Sequence, residues 1–137
     1  MNELETKPMS YPAGYRYTKE HEWIEVDGKT GTVGITDYAQ NSLGDIVFVE
    51  LPKIGDVLEA GKIFGSVESV KAVSDLFVPV SGTVTAVNEE LVGAPEKINT
   101  AANTTWIMKL ELSDAAQVDG LLTAAEYEAF ISEETGH

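Results

Sequence analysis

The chain has 137 residues, enough for one domain with its own hydrophobic core and no need of metal or disulfide staples. Cysteine is absent, which excludes a disulfide framework, a thiolate metal site and a cysteine nucleophile, so any redox sulfur must come with a cofactor. Nine Lys and Arg against 23 Asp and Glu give a net charge of −14, a field that repels nucleic-acid phosphates and anionic lipid and favours partners with basic docking surfaces.

No apolar stretch is long enough to span a bilayer, and Met1 to Ser10 is polar and acidic, without a targeting pattern. Residues 1–14 are expected to form a flexible N-terminal tail, with Met9 an alternative start to Met1, and the protein is expected to be cytoplasmic. From Tyr15 the pattern becomes ordered. His21 to Val26, Asp27 to Gly31 and Thr32 to Ile35 predict strand, tight turn and strand. Thr36 predicts the N-cap of a short helix, with Asp37 favourable to its dipole and Gly44 as its C-terminal cap. Asp45 to Leu51 is apolar on both faces, which predicts an inner strand ended by Pro52.

Two later stretches look alike. Pro52 to Gly61 and Pro79 to Asn88 each place glycines where a strand is expected to turn, suggesting two quasi-equivalent halves on either side of one lysine. Between them, Ile63 to Val67 and Leu76 to Val80 have the composition of two short strands, and their pairing lifts Lys71, at the centre of Glu68-Ser69-Val70-Lys71-Ala72, into solvent. Gly65 and Gly82 are expected to allow close backbone approach or positive φ near the ends of these strands. Thr104 to Leu112 supplies a final strand. Ser113 is expected to cap a helical stretch through Leu122, and Thr123 to Glu126 is a capping box for a last helix with Tyr127, Phe130 and Ile131 on one core-facing side. The expected class is mainly β, two packed antiparallel sheets with a short internal helix and C-terminal helices.

An ε-amine held at a hairpin tip is open to a modifying enzyme and can carry a swinging arm. Nothing supplies a catalytic set: His21 is expected to pack or hydrogen-bond within its strand, and Gly61-Lys62 lacks a phosphate-cradling loop.

Several strings in order extend this reading: YTKEHEW at Tyr17 to Trp23, GITDYAQ at Gly34 to Gln40, LGDIVFVELP at Leu43 to Pro52, ESVKAVSD at Glu68 to Asp75 and PVSG at Pro79 to Gly82. With them the chain resembles the glycine cleavage H proteins from about Tyr15 to the C-terminus. The resemblance implies a barrel-sandwich hybrid of the lipoyl/biotinyl type over residues 15–137, a non-catalytic carrier with lipoic acid amide-linked to Lys71. Val70 and Ala72, in place of flanking methionines, favour lipoate over biotin. It further implies shuttling of an aminomethyl group from a pyridoxal-phosphate glycine decarboxylase to a tetrahydrofolate-dependent aminomethyltransferase. Electrons pass to a flavin (FAD) dihydrolipoamide dehydrogenase, and a lipoate-attaching enzyme is a further partner; nucleic acid and membrane are not. The loaded arm would rest in a surface cleft, where its ammonium terminus favours acidic lining; Glu20, Glu22 and Asp75 are the candidates. The chain departs from its relatives at Tyr38, where histidine occurs in some, and over Asn99 to Thr105, which borders the cleft. An H-like lipoyl carrier in sulfur oxidation or lipoate relay remains the alternative.

Overall fold

A computed structural model describes residues 11–135. Most of the expected tail, with both candidate starts Met1 and Met9, lies outside the described residues. The strands are β1 (Arg16–Tyr17), β2 (Glu22–Asp27), β3 (Thr30–Ile35), β4 (Ile46–Glu50), β5 (Val57–Leu58), β6 (Ile63–Ser69), β7 (Val73–Phe77), β8 (Gly82–Val87) and β9 (Met108–Leu112). The helices are α1 (Asp37–Leu43), α2 (Glu90–Gly93), α3 (Lys97–Ala101) and α4 (Ala124–Thr135), with a 3₁₀ turn over Ala115–Gly120.

Two antiparallel sheets form, one in the order β1-β2-β3-β9-β8-β5 and one in the order β4-β6-β7. The β2–β3 hairpin runs in unbroken register from Glu22↔Ile35 to Asp27↔Thr30, and Gly28 at φ +63° closes its two-residue turn. Ile24, Val33, Val84 and Leu110 of the larger sheet share one apolar cluster with Val49, Val67 and Leu76 of the smaller. Each such side chain contributes about 1.5–3 kcal/mol when fully buried. The two sheets are therefore held face to face by their alternate residues.

A second cluster lies under α4. Tyr11, Tyr17, Trp23 and Tyr127 are buried together, with Tyr17 and Tyr127 stacked at 4.8 Å between ring centroids. The predicted capping box starts the helix: Glu126 Oε1 accepts from Thr123 N at 2.9 Å, and Thr123 Oγ1 accepts from Glu126 N at 3.2 Å. Phe130 and Ile131 pack on the same cluster, as their spacing predicts. Of the residues assigned to the tail, Tyr11 is buried and Pro12 O accepts from Tyr17 Oη at 2.8 Å, so packing begins by Tyr11.

Four expectations change. β4 is an edge strand: it pairs only with β6, and an irregularity between Ile46 and Phe48 leaves Val47 and Phe48 51% and 50% exposed. Its second apolar face thus looks outward. Asp114, not Ser113, caps the turn after β9, accepting from Ala116 N at 3.1 Å, and that turn is 3₁₀. The segment between β8 and β9 contains α2 and α3, which its Gly, Pro and Asn content concealed. Finally, the two similar stretches adjoin through β5–β8 pairing, but their glycines do different work. Gly55 and Gly61 take φ of +97° and +88° in turns, whereas Gly82 sits in a strand where a Cβ would come 2.5 Å from Glu111 O.

Candidate functional site

The β6–β7 hairpin carries Lys71 on its turn. Glu68 faces Val73, and Ser69 N donates to Ala72 O at 2.8 Å, which closes the turn over Val70 and Lys71. Ser69 is buried, and its hydroxyl oxygen accepts from Lys71 N at 3.3 Å and Ala72 N at 3.1 Å, a side-chain brace suited to serine before a tight turn. A second brace comes from outside: Val70 N donates to Asp45 O at 3.0 Å, tying the tip to the link between α1 and β4. The backbone around Lys71 is fixed from two sides. Its side chain is exposed and ion-paired with no group among the described residues.

The α1–β4 link owes its shape to two residues. Thr36 caps α1 by accepting from Ala39 N, and Gly44 ends it at φ +84°, donating its N–H to Gln40 O. Asn99 of α3 then stitches the link down: its Nδ2 donates to Gly44 O and Gln40 Oε1, both at 2.9 Å, while its Oδ1 accepts from Ile46 N at 2.9 Å. In the sequence, Asn99 to Thr105 stands out only as a departure from relatives. An asparagine four residues after Pro95 carries no local signal for a three-way bond.

A cavity of about 440 Å³ opens beside the other end of β7. Its wall includes Thr18, Glu20, Glu22, Phe77, Leu121 and Leu122. The cavity therefore brings two of the three candidate carboxylates together. Glu20 is exposed, whereas Glu22 is 1% exposed. Glu22 Oε1 accepts from Thr18 Oγ1 at 2.6 Å and Oε2 accepts from Phe77 N at 3.1 Å, so the buried carboxyl has a partner on each oxygen. Loss of hydration pushes its pKa up to about 7; the bonds from Thr18 and Phe77 act against that rise, and the charge of Glu20 adds to it. Asp75 is exposed on β7, two residues before Phe77, and it is not part of the cavity wall. Lys71 is likewise outside that wall.

His21 stands just before β2 at φ +76°, a backbone conformation that histidine tolerates better than most residues. Its Nδ1 lies 2.8 Å from Tyr127 Oη, which also shares a 2.7 Å hydrogen bond with Thr36 Oγ1. Its ring packs against Tyr38 at 4.7 Å. The expectation that His21 packs is met, but it lies outside the strand, where its positive φ directs it into the aromatic cluster beneath α4. No group of three or more His, Cys, Asp or Glu placed to hold a metal occurs among the described residues, and no described helix is long and apolar enough to cross a membrane.

An exposed amine on a rigid turn can be acylated, and a cavity with a buried carboxyl at the far end of the same strand can receive a cationic group. Comparison with known proteins gives the family. The family profile described as glycine cleavage H-protein matches residues 15–134. A glycine cleavage system H protein of Acidobacterium capsulatum is 79% identical over 129 residues, covering 94% of this chain and all of the relative. One from Koribacter versatilis is 64% identical over the same shares. The crystal structure of a glycine cleavage system H protein from Mycobacterium marinum superposes with a TM-score of 0.79 at 38% identity, covering 92% of this chain and 99% of that one. The two-sheet architecture is accordingly the barrel-sandwich fold of lipoyl-type domains, and the chain belongs to the glycine cleavage H-protein family, the non-catalytic lipoyl carriers of the glycine cleavage system.

Proposed function

We propose that Lys71 is the residue that bears the lipoyl group, and that the chain works in the cytoplasm as the carrier between a glycine decarboxylase, an aminomethyltransferase and a dihydrolipoamide dehydrogenase. The observation that carries this reading is the turn itself: Lys71 is exposed, while Ser69 and Asp45 hold its neighbours' backbone in place. When attached, lipoate supplies a dithiolane that accepts electrons and the one-carbon cargo. The residues present fit such a group. Lys71 offers a primary amine with no competing ion pair among the described residues, and the amide would remove its charge.

β7 leads from the turn toward the cavity. Four residues of extended chain from Lys71 to Asp75 span at most about 13 Å, within reach of a lysine carrying an eight-carbon acyl chain. Asp75 would meet a cationic cargo in solvent, where a pair is worth about 0–1 kcal/mol. Glu22 would meet it in a drier setting, and its raised pKa means that an arriving cation favours release of a proton from the carboxyl. Glu20 stands at the rim of the same cavity and adds negative field. Leu121 and Leu122, from the segment paired with Tyr17, supply an apolar wall that limits water.

Intact mass spectrometry of the protein made with lipoate and a lipoate ligase should show one lipoyl addition, mapped by peptide to Lys71. Persistence of the addition in Lys71→Arg, or a lipoyl group on another lysine, would overturn the assignment. Arginine keeps the charge but does not serve as the acyl acceptor.

A further inference from the structure

The outward face of the β4-β6-β7 sheet carries apolar residues that the fold does not use. Phe48 faces Glu68 and Glu68 faces Val73, so the three form one cross-strand row with Phe48 and Val73 on either side of the glutamate. Phe48 is 50% exposed and Val73 67%. Val47 and Val70, close by in the chain, are exposed as well. Single exposed apolar residues are ordinary, but these four sit on the two edge strands of one small sheet and on its hairpin turn, an exposure that needs a use. The next row toward the cavity is Glu50, Ser66 and Asp75, with Ser66 Oγ donating to Glu50 Oε1 at 3.2 Å. The face thus carries two apolar side chains on either side of Glu68, with the carboxylates of Glu50 and Asp75 in the next row.

Resting on the reading of Lys71 as the attachment site, we propose that this face is the docking surface for the enzyme that attaches lipoate, whose complementary surface offers apolar contacts to Phe48 and Val73 and basic groups to Glu68, Glu50 and Asp75. Reach selects this partner over the others. The reacting atom of the unmodified lysine, Nζ, lies only about 6 Å from its own Cα, so the attaching enzyme must come down onto the turn and cover the residues beside it. Enzymes that act on the attached dithiolane work at the end of a much longer arm and can engage it without covering this row. In the attachment step the ammonium first loses a proton. The amine nitrogen then forms the bond to the carbonyl carbon of an activated lipoyl acyl donor, a mixed anhydride or thioester. The donor's leaving group departs with the bonding pair, and the second nitrogen proton passes to solvent. The row does no chemistry; it positions the amine. A net charge of −14 complements those basic groups and makes encounter salt-sensitive.

The test compares wild type, Phe48→Ser, Val73→Ser and the double variant as apo-proteins with a purified lipoate ligase, lipoate and ATP. The double variant should lose about tenfold or more in kcat/KM for lipoylation, mainly through KM, while its thermal unfolding matches wild type. After prolonged incubation has completed the modification, reduction of its arm by dihydrolipoamide dehydrogenase should match wild type within about twofold. Should Phe48→Ser unfold, Val73→Ser alone carries the comparison. Unchanged lipoylation kinetics overturn the docking surface, and so does an equal loss with ligase and dehydrogenase. Wild type that is not modified at Lys71 overturns the attachment reading, and this proposal with it; wild type modified there with unaltered variants overturns this proposal alone.

Discussion

At the aromatic end of the molecule Tyr11, Tyr17, Trp23 and Tyr127 are each 6% exposed or less, with Tyr17 stacked on Tyr127, Tyr11 edge-on to both, and the Tyr127 hydroxyl shared between His21 and Thr36. At the lysine hairpin Val70, Lys71, Ala72 and Val73 are all exposed, and the order there comes from backbone bonds to Ser69 and Asp45. One region is held by buried side-chain area, the other by main-chain hydrogen bonds at the end of a ribbon. The difference teaches that stability and modification reside in separate parts of the fold, so substitutions should divide into those that move one and those that move the other.

The sharpest division is expected at Lys71. Lys71→Arg should abolish lipoylation completely and change unfolding free energy by no more than about 0.5 kcal/mol, as for an exposed surface site. Denaturant unfolding beside mass spectrometry checks both halves. The reverse pattern is expected at Tyr127. Tyr127→Ala removes a fully buried ring and the partner of two polar groups, which should cost about 3–5 kcal/mol. The folded fraction should still be lipoylated at the normal rate, measured at a temperature below its unfolding transition. Loss of modification in protein shown to be folded would break the comparison.

Much of this partition was legible in the residues. The capping box at Thr123 and the cap pair Thr36 and Gly44 announce helix ends because their chemistry is local, and the Lys71 turn is framed by two strand-like runs. What local pattern does not encode is which strand lies at an edge. β4 reads as interior because Val47 and Phe48 add a second apolar face, yet that face looks outward. The same limit governs the carboxylates. Glu22 and Asp75 look alike as acidic residues, and only the tertiary approach of Phe77 N and Thr18 Oγ1 makes one of them a buried, doubly bonded carboxyl. Asn99 was illegible as a brace because its three partners lie 53 to 59 residues away in the chain.

One of the contacts that joins the hairpin to β4 is very close, and breaking it should affect both properties together. A Cβ on Gly65 would collide with the backbone carbonyl of Glu50 on β4, which is main chain and gives way only by displacing the strand. Gly65→Val should therefore destabilise by about 3 kcal/mol, the upper end for overpacking, and slow lipoylation at temperatures where the protein remains folded. Hydrogen exchange should show the loss of protection confined to β4, β6 and β7. An even loss over both sheets would mean that the hairpin is not a separable unit.

The smallest effect concerns the residue that stands between the two regions. Glu22 opens β2 near the aromatic cluster, while its carboxyl binds the end of β7. Its folded pKa, pushed up to about 7 from an ordinary 4.5, lies above its unfolded value. Its contribution to stability is therefore fully present below the unfolded value and is lost as pH rises through the folded one, a change of about 3 kcal/mol in all. Glu22→Gln carries no charge at any pH. The amide oxygen can accept from Phe77 N and the amide nitrogen can donate to Thr18 Oγ1, but the Thr18 hydroxyl proton then loses its acceptor, at a cost of about 1 kcal/mol. The variant should consequently be less stable than wild type by about 1 kcal/mol at pH 3, about equal to it near pH 5, and more stable by about 2 kcal/mol at pH 8. Urea unfolding of both proteins at these pH values measures the crossing. A difference that does not change sign would mean that water reaches the Glu22 carboxyl freely, and that the cavity beside β7 is too wet to hold a cationic cargo apart from solvent.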